Sequence, residues 1–205
     1  DPARLTPDEL LYAATLESDP DKKEAIYKKT AELYDKDYRA FNNMAVMAFN
    51  KGDESTAKQY IEQAKAKRAD APEANANLAL IDMKHGDLNA ATNHLADAID
   101  ANGFYEVLGN LNIAKGNYAT AVQNFGNSYS NSAALAQLLN KDYAAAVATL
   151  KNVKNADAMT DYLMALVLNR QGNTATAKDY LQRACKKDAK LAAYAANDLE
   201  LANLK

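Results

Sequence analysis

Five stretches of the chain carry one apolar ladder, small then large then small at i, i+4 and i+7. They are Ala57, Ile61, Ala64; Ala91, Leu95, Ala98; Ala121, Phe125, Ser128; Ala146, Leu150, Val153; and Ala177, Leu181, Ala184. That spacing lies on one face of an α-helix, so each ladder predicts a helix with a single buried stripe. Alanine at the first rung implies close approach to the preceding helix, where a longer side chain would overpack by about 1–3 kcal/mol. A second apolar set precedes the bends: Phe41, Met44, Ala45 and Ala48; Leu78 and Ala79; Leu108 and Gly109; Met164, Ala165 and Leu168. Between the sets stand Gly52-Asp53, Gly86-Asp87, Gly116-Asn117 and Gly172-Asn173. Each pairs a residue at ease in a left-handed C-cap with one able to cap the next helix. Asn140-Lys141-Asp142 reads as a fifth bend, with Asn140 taking the left-handed conformation. The predicted unit is a helical hairpin, repeated.

From Gly52 through Gly86, Gly116 and Lys141 to Gly172 the intervals are 34, 30, 25 and 31 residues. The shortest contains Gly126-Asn127-Ser128-Tyr129-Ser130-Asn131-Ser132, whose density of turn formers predicts broken helix pairing and a local change of superhelix curvature. Near the N-terminus, Thr6-Pro7-Asp8-Glu9 reads as a capping box starting a helix that runs to about Glu17. A second helix follows Pro20 with Ala25, Ile26, Thr30, Leu33 and Tyr34 inward. From Asp188 to Leu204 a last helix carries Leu191, Tyr194, Leu201 and Leu204. Terminal units of a stack need a polar outer face, so residues 1–36 and 188–205 read as caps on a repeat region at 37–187. On that reading residues 1–205 form a single solenoid of about 13 helices.

In its helix-turn-helix units, its Ala and bulky-residue pattern and its one full 34-residue period, the stretch from about residue 38 to 188 resembles the tetratricopeptide repeat (TPR) family. Phe41 and other residues replace the family's early Trp, its Leu-Gly pair survives only at Leu108-Gly109, and its closing Pro is displaced or missing. The resemblance implies an all-α protein, a right-handed α-α superhelix of about five helical hairpins with atypical capping helices, the first helix of each pair lining a concave groove. The family's groove positions fall on Arg39, Asn42, Val46, Phe49 and Asn50, then on Ala76, Asn77, Leu80 and Met83. Further along they fall on Glu106, Asn110 and Ile113, and last on Tyr162, Leu166, Asn169 and Arg170. Amides interleaved with apolar groups suit an extended or helical peptide: Asn meets backbone N–H and C=O together, while Phe49, Met83 and Tyr162 take side chains. An ordinary half-solvated helix face is the other reading of these positions. The branch of the family that clamps a peptide's terminal carboxylate needs Lys where Asn42 stands and Asn where Val46 stands, so a chaperone-tail adaptor is not expected.

Composition narrows the chemistry. With 7 Gly and 4 Pro in 205 residues, 48% hydrophobic and 25% charged, a folded, soluble helical chain is expected rather than one built from many tight turns. Its apolar runs fall short of the roughly 20 residues of a membrane span. Lys and Arg number 24 against 27 Asp and Glu, with no basic block, so no nucleic-acid partner is expected. Cys185, the lone cysteine, permits no internal disulfide or thiolate metal cage and reads as a packing residue. His85 and His94 flank one bend without a third ligand; His85 reads as closing its helix and His94 as lying on a solvated face. Asp8-Glu9 and Asp53-Glu54 stand where helix N-termini favour negative charge, and Tyr60, Tyr118, Tyr143 and Tyr180 recur at packing positions. Nucleophile elbow, phosphate loop and dinucleotide fingerprint are missing, so neither enzyme activity nor a cofactor nor a metal is expected.

The chain opens at Asp1 without an initiator Met and without a signal or lipid-attachment segment, and reads as a processed product or a trimmed piece of a longer chain. Its 19 Lys to 5 Arg, its many Asn, its run from Leu5 through Tyr12 and its closing Ala195-Ala196-Asn197-Asp198-Leu199-Glu200 resemble TPR segments of bacterial cell-envelope proteins. That resemblance implies a periplasmic or outer-membrane-associated location, with the cytoplasm as the alternative. The expected function is a non-enzymatic scaffold binding a peptide or protein along its groove. The alternative is a structural spacer or assembly module of a larger envelope protein with no groove ligand.

Overall fold

Left-handed bends and capped starts divide the chain into helices. In the computed structural model, which describes residues 2–98 and 104–204, these are α1 Pro7–Leu16, α2 Pro20–Leu33, α3 Tyr38–Asn50, α4 Glu54–Lys67, α5 Pro72–Lys84, α6 Leu88–Ala98, α7 Tyr105–Ala114, α8 Tyr118–Phe125, α9 Asn131–Leu139, α10 Tyr143–Lys151, α11 Ala158–Arg170, α12 Thr174–Lys187 and α13 Ala189–Asn197. Short 3₁₀ segments occupy Pro2–Arg4 and Leu199–Leu204. Among the described residues there is no strand, and no helix is long and apolar enough to cross a membrane. The chain divides into two compact units, Asp1–Phe104 and Tyr105–Lys205.

The first unit holds three hairpins, α1/α2, α3/α4 and α5/α6. Its start is capped as expected: the Thr6 N–H donates to Glu9 Oε2 at 2.8 Å, and the Glu9 N–H to Thr6 Oγ1 at 3.3 Å. The alanine rungs Ala57, Ala64, Ala91 and Ala98 are wholly buried and let the paired helices close on Ile61 and Leu95. Burying each of those two side chains is worth about 1.5–3 kcal/mol. Ala45, Ile61, Leu78 and Ile81 form one cluster across α3, α4 and α5, and Ala14, Tyr27 and Met44 join α1 and α2 to α3. On α2 the inward residues are Tyr27 and Thr30, whereas Ala25 is exposed and Leu33 borders solvent, a correction to the inward face expected there. The Tyr27 ring packs with Ala14 of α1 and Met44 of α3.

The second unit holds α7/α8, α9/α10 and α11/α12, followed by α13. At its middle bend the left-handed residue is Lys141, at φ 66°, and Asn140 is not, with φ −76°. Lys141 stands at the place of glycine in the other bends, and hairpin geometry imposes the conformation regardless of residue type. Gly109 permits a close approach, since a Cβ there would stand 2.6 Å from the Phe125 ring. Helix α8 stops at Gly126, with φ 54°, and α9 begins after the Ser130 cap, so the turn-rich stretch does interrupt the helices. The third rungs Ser128 and Val153 accordingly fall beyond the ends of α8 and α10. The closing helix also differs from expectation: it breaks at Asp198, whose side chain accepts from the Glu200 N–H at 2.9 Å and starts the 3₁₀ segment instead. Leu201 and Leu204 are buried as expected, but Tyr194 is 65% exposed and meets the Tyr162 ring edge-on at 5.9 Å.

Candidate functional site

Register places the candidate residues. Tyr12, Val46 and Leu80 follow one another at 34-residue spacing on α1, α3 and α5, as do Thr15, Phe49 and Met83. The first three are exposed by 65%, 38% and 36%. A lone exposed apolar residue is ordinary, but a row at one helical position makes a surface. Polar contacts tie these helices together one to two turns before the row. Arg39 of α3 reaches Asp8 of α1 at 2.6 Å, and Asn77 Nδ2 of α5 donates to Asn42 Oδ1 of α3 at 2.8 Å.

Beside this row, between α3, α4 and α5, lies a cavity of about 170 Å³. Val46, Phe49, Asn50, Asn77 and Leu80 line it, over a buried floor of Ala45, Ala57, Ile61 and Ile81. Five of the sequence-derived groove residues thus meet in one place. An apolar cavity of about 150 Å³ accepts benzene, and drug-sized ligands need roughly 300 Å³ or more, so this one suits a single large side chain. Its rim charges are matched from within the chain. Lys84 Nζ lies 5.3 Å from the Phe49 ring centroid and pairs with Glu54, which also meets His85 Nε2 at 2.7 Å. Lys84 first and His85 second hold the Glu54 carboxyl below its ordinary range.

The other candidates are placed differently. Arg39 is held by Asp37, the α3 N-cap, through contacts of 2.6 to 3.1 Å as well as by Asp8, and Asp37 is the main cause of its raised pKa. Asn42 is buried under its bond to Asn77, while Met83 is half-buried and outside the cavity lining. In the second unit Glu106 is exposed and accepts from Ser128 Oγ at 3.4 Å, and Asn110 is half-buried. Tyr162 is 3% exposed and its hydroxyl donates to Asp198 Oδ2 at 2.5 Å; burial first and that bond second raise its pKa. Asn169 bonds the Glu200 carbonyl and Asn203. Reading the residues missed Tyr12 and Leu16 of α1, because that helix ends without a glycine bend; counting back 34 from Val46 finds the first.

The histidines are both paired with carboxylates. His85 reaches over to Glu54 in addition to ending α5, and His94, half-buried rather than solvated, meets Asp82 at 2.7 Å. Cys185 packs half-buried against the core of the second unit. Among the described residues no group of three His, Cys, Asp or Glu is placed to hold a metal ion.

No protein-family model matches the sequence, and no curated protein sequence does. Solved structures do. The chain is similar to one in the crystal structure of the APC/C hetero-tetramer Cut9-Hcn1, at 15% identity and TM-score 0.77, over 97% of this chain and 42% of that one. It is similar to PilF of Pseudomonas aeruginosa at 14% identity and TM-score 0.67, covering 95% of this chain and 94% of that one. PilW, a widely conserved type IV pilus biogenesis factor, matches at 15% identity and TM-score 0.68 over 97% and 96%. At these identities the likeness is one of fold, and the chain has the all-α, helical-hairpin fold of tetratricopeptide-repeat proteins.

Proposed function

We propose that this chain is a non-enzymatic binding scaffold and that its first unit takes a large apolar side chain of a partner peptide into the cavity between α3 and α5. One observation carries the reading: Val46, Phe49, Asn50, Asn77 and Leu80 converge on an apolar cavity of side-chain size. Asn50 on its rim offers an amide to the peptide backbone. With Arg39 and Lys84 already paired to carboxylates, the face favours an uncharged, apolar segment over a charged tail. The fold supports a protein-binding role, since TPR proteins act in general as interaction scaffolds.

A place in the bacterial cell envelope is the location we favour, supported by the likeness in fold and length to PilF and PilW. The spacer reading is supported in the second unit, where the α11 candidates Tyr162 and Asn169 are engaged by the chain's own C-terminal segment. The test is partner capture from envelope and cytosolic fractions by the parent and by Val46→Asp with Leu80→Asp. Both positions are more than a third exposed, so the new carboxylates can stay hydrated, and circular dichroism and melting of the variant check that the helices are kept. Loss of about tenfold or more in yield is expected from about 1.5–3 kcal/mol of apolar burial. An unaltered yield removes the cavity from consideration.

A further inference from the structure

After α13 the chain turns at Asp198, and the segment that follows is fastened to α11. The Tyr162 hydroxyl donates to Asp198 Oδ2 at 2.5 Å, and Asn169 Nδ2 donates to the Glu200 carbonyl at 2.8 Å. Asn169 and Asn203 exchange amide bonds of 3.0 and 2.8 Å, and Arg170 binds the Glu200 carboxylate through two nitrogens. Leu201 and Leu204 are buried beneath, whereas Leu199 is 89% exposed. Measured from their bends, Tyr162, Asn169 and Arg170 are the equivalents of Asn42, Phe49 and Asn50. On α11, therefore, the positions that match the first unit's groove candidates are covered by the chain's own C-terminal segment. Within the unit's hairpins the second helices carry wholly buried alanine rungs such as Ala146 and Ala177. This segment is held by Leu201 and Leu204 in the core of the unit and by side-chain bonds, of which those of Glu200 to Arg170 and of Asn203 to Asn169 lie at the surface. A competing peptide of the same chemistry can replace both kinds of contact.

We propose that this face is a second binding site and that Asp198–Leu204 is its resident, displaceable occupant. The external ligand is a partner segment of the same chemistry: a carboxylate for Tyr162, a second two residues on for Arg170, then apolar residues one and four positions further (Asp-x-Glu-Leu-x-x-Leu). Charge complementarity selects it, since the Arg170 guanidinium and the Tyr162 and Asn169 donors are turned toward acceptors. Occupancy by the resident segment multiplies the apparent association constant by the fraction of molecules that are open. This site belongs to the second unit and the α3/α5 cavity to the first, so failure of one reading leaves the other in place.

The test uses the full chain and a fluorescent peptide with the sequence of residues 198–204. Glu200→Lys with Asn203→Ala loosens the resident segment and leaves α11 intact. That variant binds the peptide at least about tenfold more tightly than the parent, as removal of a competing closed state requires. Adding Asn169→Ala and Arg170→Ala abolishes the gain. In the unaltered chain, amides of residues 199–204 exchange with deuterium while α11 and α12 remain protected. Equal peptide binding by parent and loosened chain overturns the proposal, as does exchange of the segment only together with α11. Should the loosened chain fail to fold, the exchange measurement decides. A dimer of the parent that dissociates when the peptide is added would make the ligand a second copy's C-terminal segment and overturn the external-partner reading.

Discussion

In the first unit Val46 and Leu80 border solvent beside a cavity, while in the second the matching face of α11 is covered by residues 198–204. The two faces share a register and differ in what the chain does after them. Beyond α3 comes a second helix of 14 residues and then α5, whose Asn77 bonds one residue and leaves the rest of the face open. Beyond α12 comes a helix of 9 residues that breaks at Asp198, freeing six more to lie as a 3₁₀ turn against Asn169 and Arg170. A repeat position thus specifies where a side chain points, and its neighbour in the stack specifies whether it is available.

The largest effect tests whether the two units differ in how firmly their last contacts are held. Ile61→Ala, at the floor of the first unit's cavity and 1% exposed, should cost about 2–5 kcal/mol in urea unfolding. Leu201→Ala removes an equally buried side chain, yet should cost less than about 2 kcal/mol of global stability if its segment detaches before the unit unfolds. Equal losses would erase the distinction. Next, Gly109→Ala should lower the second unit's stability by about 1–3 kcal/mol, because the buried Phe125 ring has to move; an unchanged urea midpoint would show a slack interface there.

Asp37→Ala should remove about 1–2 kcal/mol at neutral pH by losing the α3 cap and the Arg39 pair. Arg39 holds the folded Asp37 carboxyl below its ordinary value, against a smaller opposing effect of burial. Its stabilisation is therefore complete above the unfolded pKa of about 3.9 and is lost as pH falls through the lower folded value. Parent and variant should converge only in that acid range, which a pH series of melting temperatures checks. The smallest effect concerns the bends. Lys141→Gly should stabilise by up to about 1 kcal/mol, because relief of left-handed strain exceeds the extra entropy of glycine, whereas Gly52→Ala should destabilise by about 1–2 kcal/mol. The same sign at both positions would mean that the two bends are not equivalent.

Much of this was legible from residues alone. The Ala57, Ile61, Ala64 ladder and its copies require helices with one buried stripe, and Gly52 and Gly172 require the left-handed bends, since few other residues adopt them at no cost. Reading failed where a neighbour outweighed local preference. Lys141 rather than Asn140 is left-handed because hairpin closure fixes the position, and Tyr27 rather than Ala25 turns inward because Ala14 and Met44 leave room for a ring. The bond that Asn42 accepts from Asn77, a partner 35 residues away, is likewise one that no local pattern reveals.

By itself the sequence determined the helices, their pairing and the register that sets Tyr12, Val46 and Leu80 in a row, because all of these follow from short-range periodicity and backbone preference. Only the tertiary structure decided which positions stay open. It grouped Val46, Phe49, Asn50, Asn77 and Leu80 around one cavity and gave Tyr162, Asn169 and Arg170 to the C-terminal segment. The physical reason is that availability depends on contacts between residues about 30 or more apart, where packing and hydrogen bonding compete across the stack and no local rule applies.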